Sequence, residues 1–140
     1  MKAKTDFEPK IIAFCCKWCA YAAADLAGTS RMKILPNFTI IRTMCSGRID
    51  PGFVLNAFVK GADGVVVAGY HPGDCHYVNG NYKTLRRMLL LREMLAQLGI
   101  DKKRLRLEWI SAAEGKKFME TVNEFISEMK QLGPITIKRE

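Results

Sequence analysis

Gly64-Val65-Val66-Val67-Ala68-Gly69 is an unbroken apolar run, rich in β-branched residues and closed at both ends by glycine. A run this short, with no polar residue to face water, predicts a strand covered on both faces, as in the interior of a parallel sheet. Lys10-Ile11-Ile12-Ala13-Phe14-Cys15 and Phe38-Thr39-Ile40-Ile41-Arg42-Thr43 carry the same signature and predict two more such strands. Arg104-Leu105-Arg106-Leu107-Glu108-Trp109-Ile110 alternates instead, which predicts an edge strand with one wet face.

Helical patterns fill the intervals. Ala22, Ala23, Ala24 and Leu26 predict a short helix that follows Cys19 and runs to Gly28. Asp50 is placed to cap, and Pro51 to open, a second helix with apolar positions Phe53, Val54, Ala57 and Phe58, ending at Gly61. Leu85, Met88, Leu89, Leu91, Leu95 and Leu98 mark a third from Lys83 to Leu98, stopped by Gly99. A capping box, Ser111-Ala112-Ala113-Glu114, introduces a fourth with the stripe Phe118, Val122, Phe125, Ile126, Met129 and Leu132.

The order β-α-β-α-β-α-β-α puts helices on both faces of a small parallel sheet. The expected architecture is α/β, a flavodoxin-like or Rossmann-like three-layer domain with four to five strands. Ile135-Thr136-Ile137-Lys138 is either the fifth strand or the start of a docking tail over residues 135–140. The length of 140 residues fits one domain, and no linker or repeat divides it. The opening nine residues carry Asp6 and Glu8 and no apolar run, so no secretory signal is expected. No stretch approaches the roughly 18 consecutive apolar residues of a membrane span. A cytoplasmic protein with reduced thiols is therefore expected. The 22 lysines and arginines against 14 acidic residues leave a net charge of +8, which suits an acidic partner without specifying one.

Each of the first three predicted strands runs into cysteine: Cys15-Cys16-Lys17-Trp18-Cys19, then Met44-Cys45-Ser46-Gly47, then His71-Pro72-Gly73-Asp74-Cys75-His76. In an open parallel sheet the loops at the carboxyl ends of the strands share one rim, so cysteines far apart in sequence can meet there. Free cysteines are often simply buried. Against that stand the chelating pair Cys16-x-x-Cys19 and the Ser, Gly and Pro residues beside Cys45 and Cys75, which free backbone amides to point at sulfur. Four thiolates suffice and five are present. Neighbours in a strand point to opposite faces, which favours Cys16 as the partner of Cys19 and leaves Cys15 to the core.

Four thiolates accept zinc or an iron–sulfur cluster. One chelating pair with two single cysteines suits a cluster better than the two pairs usual in structural zinc, and a domain of this size has little need of a metal staple. His71 and His76 lack Rieske spacing and are read as loop histidines around the centre. Two rival readings remain: a thiol–disulfide oxidoreductase working through Cys16-x-x-Cys19, which leaves Cys45 and Cys75 without a task, and a structural zinc-binding interaction module. Neither a dinucleotide glycine fingerprint nor a phosphate-loop lysine motif is present. Trp18 and Tyr21 flank the chelating pair and are expected to shield the centre, with Tyr70 and Tyr77 around the third loop. Arg86-Arg87, Lys102-Lys103-Arg104 and Lys116-Lys117 are solvated faces or docking charge.

Cys16-Lys17-Trp18-Cys19-Ala20-Tyr21, Ala24-Asp25-Leu26-Ala27-Gly28, Arg42-Thr43-Met44-Cys45-Ser46-Gly47-Arg48-Ile49-Asp50-Pro51 and Gly69-Tyr70-His71-Pro72-Gly73-Asp74-Cys75-His76-Tyr77 with Gly80-Asn81 together resemble the delta, iron–sulfur subunit of methyl-viologen-reducing (F420-non-reducing) hydrogenase. The resemblance is strong from Ile11 to Leu98 and looser in the last helix. It implies a 2Fe–2S protein, without bond-making chemistry of its own, in a cytoplasmic hetero-oligomer. Such a subunit relays electrons from a nickel–iron hydrogenase, or in some assemblies a formate dehydrogenase, to the flavoprotein subunit of heterodisulfide reductase. The setting so implied is an electron-bifurcating complex of methanogenesis-type metabolism, with neither nucleic acid nor membrane as partner. Relatives commonly carry Asn where Lys17 stands and Cys where Tyr70 stands. The second difference supports Cys16, Cys19, Cys45 and Cys75 as the ligand set.

Overall fold

The computed structural model describes residues 8–16, 20–29, 38–43, 49–69 and 80–134. The strands are β1 (Ile11–Cys16), β2 (Phe38–Thr43), β3 (Gly64–Gly69) and β4 (Leu105–Trp109), and the helices are α1 (Ala20–Thr29), α2 (Pro51–Val59), α3 (Gly80–Gln97) and α4 (Gly115–Leu132). All strand pairings are parallel, in the order β2-β1-β3-β4. That order matches the first four strands of the flavodoxin-like arrangement; a Rossmann order would seat β1 between β2 and β4. The expected fifth strand lies outside the described residues.

The apolar runs explain the order. Every residue of β3 is buried, and β1 is nearly so, because helices cover both sides of these two central strands. One core cluster joins Ile11, Ala13, Cys15, Val66 and Ala68 to Ala20, Ala23 and Ala27 of α1 and to Phe118, Val122, Phe125, Ile126 and Met129 of α4. The other joins Phe14, Val65 and Val67 to Val54 and Phe58 of α2 and to Met88, Leu91 and Leu95 of α3. Gly64 lets α4 approach: a Cβ there would stand 2.6 Å from Cε2 of Phe125 and 2.9 Å from Sδ of Met129.

Several expectations are corrected. β2, read as covered on both faces, is an edge strand with Thr39, Ile41 and Arg42 exposed, because among the described residues only β1 pairs with it. Phe53 in α2 is 52% exposed, leaving Val54 and Phe58 to face the sheet. In α3, which runs from Gly80, not Lys83, to Gln97, Leu89 is exposed, as is Leu98 just past its end; Thr84, Met88, Leu91 and Leu95 form the buried seam. The Ser111–Glu114 box stops short of its helix: α4 begins at Gly115, and Glu114 Oε1 accepts from the Ser111 N–H at 2.8 Å in a preceding turn. The alternating edge strand is β4, but Arg104 belongs to the 3-10 turn before it and is 6% exposed.

Arg104 closes the amino end of the sheet. Its Nη1 donates to the Asp63 carbonyl and its Nη2 to the Gly133 carbonyl, both at 2.9 Å. Burial lowers the pKa of the guanidinium, while Asp63 and Asp101 act in the opposite direction. Asp63 in turn takes the Lys10 N–H on Oδ2 at 2.9 Å and donates its own N–H to the Lys10 carbonyl at 2.8 Å. These bonds hold β1, β3 and the end of α4 together at the end of the sheet opposite the cysteine-bearing segments.

Candidate metal centre

Cys16 is the last residue of β1 and pairs in register with Thr43, the last residue of β2. On the other side of β1, Cys15 pairs with Ala68, one residue before the end of β3. The carboxyl ends of β2, β1 and β3 therefore lie side by side, spanning about 10 Å at the usual strand spacing of about 4.8 Å. Cys19 comes three residues after Cys16, Cys45 two after Thr43, and Cys75 six after Gly69. At most ~3.6 Å per residue, those tethers reach about 11, 7 and 22 Å. The strand ends are thus close enough for all three segments to deliver a thiolate to one centre.

Of the five cysteines, Cys15 and Cys16 fall within the described residues, and both are buried, at 0% and 4% exposure. Cys19, Cys45 and Cys75 lie outside them, as do Trp18, Tyr70, Tyr77, His71, His76 and the tail. Among the described residues no group of three or more His, Cys, Asp or Glu is arranged to hold a metal.

Alternation alone does not separate the two described thiols, because both belong to the buried cluster under α1 and α4. Position along the strand does. Cys15 is one residue inside the sheet, between Arg42 and Ala68, and its carbonyl lies 3.5 Å from the Thr43 hydroxyl that donates to it. Burial, with Cys16 adding to it, pushes the Cys15 thiol up to about 12, so it stays protonated at neutral pH. Cys16 stands at the rim.

The start of α1 suits a thiolate beside it. α1 begins at Ala20, directly after Cys19, so the positive dipole end of the helix falls beside that cysteine in sequence. No acidic residue occupies the first turn of α1 to oppose a thiolate there.

One contact has no signal in the sequence. The Arg42 guanidinium lies 5.3 Å from the centroid of the Tyr21 ring. Tyr21 follows Cys19 by two residues and Arg42 precedes Cys45 by three, so this cation–π pair ties together α1 and β2, which adjoin two of the predicted ligands in sequence. The expectation for Tyr21 is a shield over a centre that lies outside the described residues; within them, its ring meets Arg42. The pairing depends on α1 packing beside β2, which neither segment announces locally.

The family model described as methyl-viologen-reducing hydrogenase, delta subunit (FlpD), matches residues 11–133. The chain belongs to that family. The matched span runs from the start of β1 to the end of α4 and includes Cys16, Cys19, Cys45 and Cys75. The vhc iron-sulfur subunit of F420-non-reducing hydrogenase from Methanococcus voltae is 55% identical over 133 residues, covering 95% of this chain and 92% of that protein. The corresponding F420-non-reducing hydrogenase iron-sulfur subunit of Archaeoglobus profundus is 49% identical, covering 96% and 98%. A third relative, the A-type subunit of the ferredoxin/F(420)H(2)-dependent CoB-CoM heterodisulfide reductase of Methanosarcina acetivorans, is 53% identical over 127 residues. That match takes up 91% of this chain but 16% of the larger protein, in which a domain of this family is one part. Among the described residues, no helix is long and apolar enough to cross a membrane.

Proposed function

We propose that this member of the delta-subunit family is an iron–sulfur electron carrier, holding a 2Fe–2S cluster through Cys16, Cys19, Cys45 and Cys75. It passes electrons from a nickel–iron hydrogenase to the flavoprotein subunit of heterodisulfide reductase, within an electron-bifurcating cytoplasmic complex. The observation that carries this reading is the side-by-side placement of the carboxyl ends of β2, β1 and β3, each leading into a cysteine-bearing segment. The cluster would supply one-electron chemistry, and the chain's own part is to supply thiolates, amides and a shaped surface.

The relatives support the assignment of partners. Proteins named as hydrogenase iron–sulfur subunits match over almost their full length, which favours a hydrogenase over a formate dehydrogenase as donor. Fusion of the same domain into the A-type subunits of heterodisulfide reductases supports heterodisulfide reductase as acceptor, since separate chains that work together are often joined this way.

Burial weighs against both rivals. In a dithiol enzyme of the Cys16-x-x-Cys19 type, Cys16 would be the attacking thiol, and at 4% exposure it is poorly placed to meet a disulfide substrate. A zinc staple has little to add where two apolar clusters already fill both sides of the sheet. The test is reconstitution with purified hydrogenase and the reductase flavoprotein under anaerobic conditions. Hydrogen-dependent reduction of the flavin should require this chain, and the Cys45→Ser variant should not substitute for it. Equal rates without the chain would refute the relay.

A further inference from the structure

On the face of the sheet that carries α2 and α3, a groove of about 610 Å³ lies between β2 and α2. Its apolar lining includes Ile12, Ile41, Phe53 and Ala57, and Ile41 and Phe53 are 42% and 52% exposed. Lys10 and Lys60 also line it, at the amino end of the sheet, and among the described residues no carboxylate does. Among those residues neither lysine forms an ion pair. β2 has no second strand partner among them either, so the groove borders an open sheet edge as well.

Two large exposed apolar side chains beside unpaired cations are an amphipathic surface of one charge sign. Docking grooves pair an apolar anchor with complementary rim charge. A small polar ligand would instead need several converging donors and acceptors. We infer that this groove seats an acidic, amphipathic segment of a protein partner, with an apolar side chain between Ile41 and Phe53 and carboxylates against Lys10 and Lys60. The inference rests on the relay reading and adds a location to it. The groove reaches Thr43, two residues before Cys45, so a partner seated there lies within about 7 Å of chain from a proposed ligand.

The test uses the full chain with the hydrogenase and with the flavoprotein of heterodisulfide reductase, each titrated separately. Phe53→Glu and Lys60→Glu should each weaken binding of one of these proteins by about tenfold or more. The Lys60→Glu variant should also flatten the loss of affinity between about 50 and 300 mM salt. Leu90→Glu, on the exposed side of α3, should bind as the unaltered chain does. Unchanged affinity of both groove variants for both proteins, with the relay still working, overturns the groove and leaves the relay standing. So does equal damage from Leu90→Glu. A fall in the melting temperature of the free Phe53→Glu chain with Lys60→Glu binding normally means that the chain covers its own groove, and also overturns it. If the unaltered chain binds neither protein, the relay reading falls and the groove with it.

Discussion

Cys16 and Thr43 stand opposite each other in register at the carboxyl ends of β1 and β2. Because β3 flanks β1 on the other side, the segments bearing Cys19, Cys45 and Cys75 leave from three neighbouring strands. Replacement of Cys45 or Cys75 by Ser is expected to abolish or strongly shift the cluster's absorption and paramagnetic signals. Cys15→Ala should keep both signals, at a stability cost of about 1 kcal/mol for a small buried apolar group, read from urea unfolding.

Tyr21 and Arg42 connect two of those elements. A double-mutant cycle with Tyr21→Leu and Arg42→Met should return a coupling of about 0.5–1 kcal/mol, the range for a partly exposed cation–π pair. Additive effects in thermal or urea unfolding would show that the contact contributes nothing.

Gly64→Ala should destabilise the chain by about 1–3 kcal/mol, because the added methyl would sit 2.6 Å from Phe125. Phe125→Leu combined with Gly64→Ala should be less destabilised than the two single effects added together. Urea midpoints of the four proteins read this directly.

Arg104→Met removes donors from the carbonyl oxygens of Asp63 and Gly133. Leaving the buried Asp63 acceptor without this donor is expected to cost about 1–3 kcal/mol, and the half-buried Gly133 acceptor less, measured by urea unfolding. Arg104→Lys should recover only part of the loss, since one ammonium does not reproduce a planar fork reaching two separate carbonyls.

The elements that periodicity reveals best are those whose burial is local in origin. The Val65-Val66-Val67 run marks β3 as a central strand, and Asp50 with Pro51 marks the start of α2, where Asp50 Oδ1 accepts the Gly52 N–H at 2.8 Å. Sheet order is not local, and the misplacement of β2 follows from that. Ile40-Ile41 has the composition of an interior strand, yet among the described residues β2 pairs only with β1, and Ile41 faces the groove beside α2 and is exposed. Arg104 reads as surface charge because an arginine beside two lysines usually is; its two carbonyl partners come from 41 and 29 residues away. For the centre, cysteine spacing points to one rim, and parallel pairing of β1 with both β2 and β3 supplies the adjacency that spacing alone lacks.

Iron and acid-labile sulfide determination on anaerobically prepared protein, with electron paramagnetic resonance of the dithionite-reduced sample, tests the central claim most directly. A 2Fe–2S centre on four thiolates predicts about two irons and about two sulfides per chain, with an S = 1/2 signal on one-electron reduction. Stoichiometric zinc without sulfide, or a fully loaded cluster that survives replacement of both Cys45 and Cys75, would contradict it.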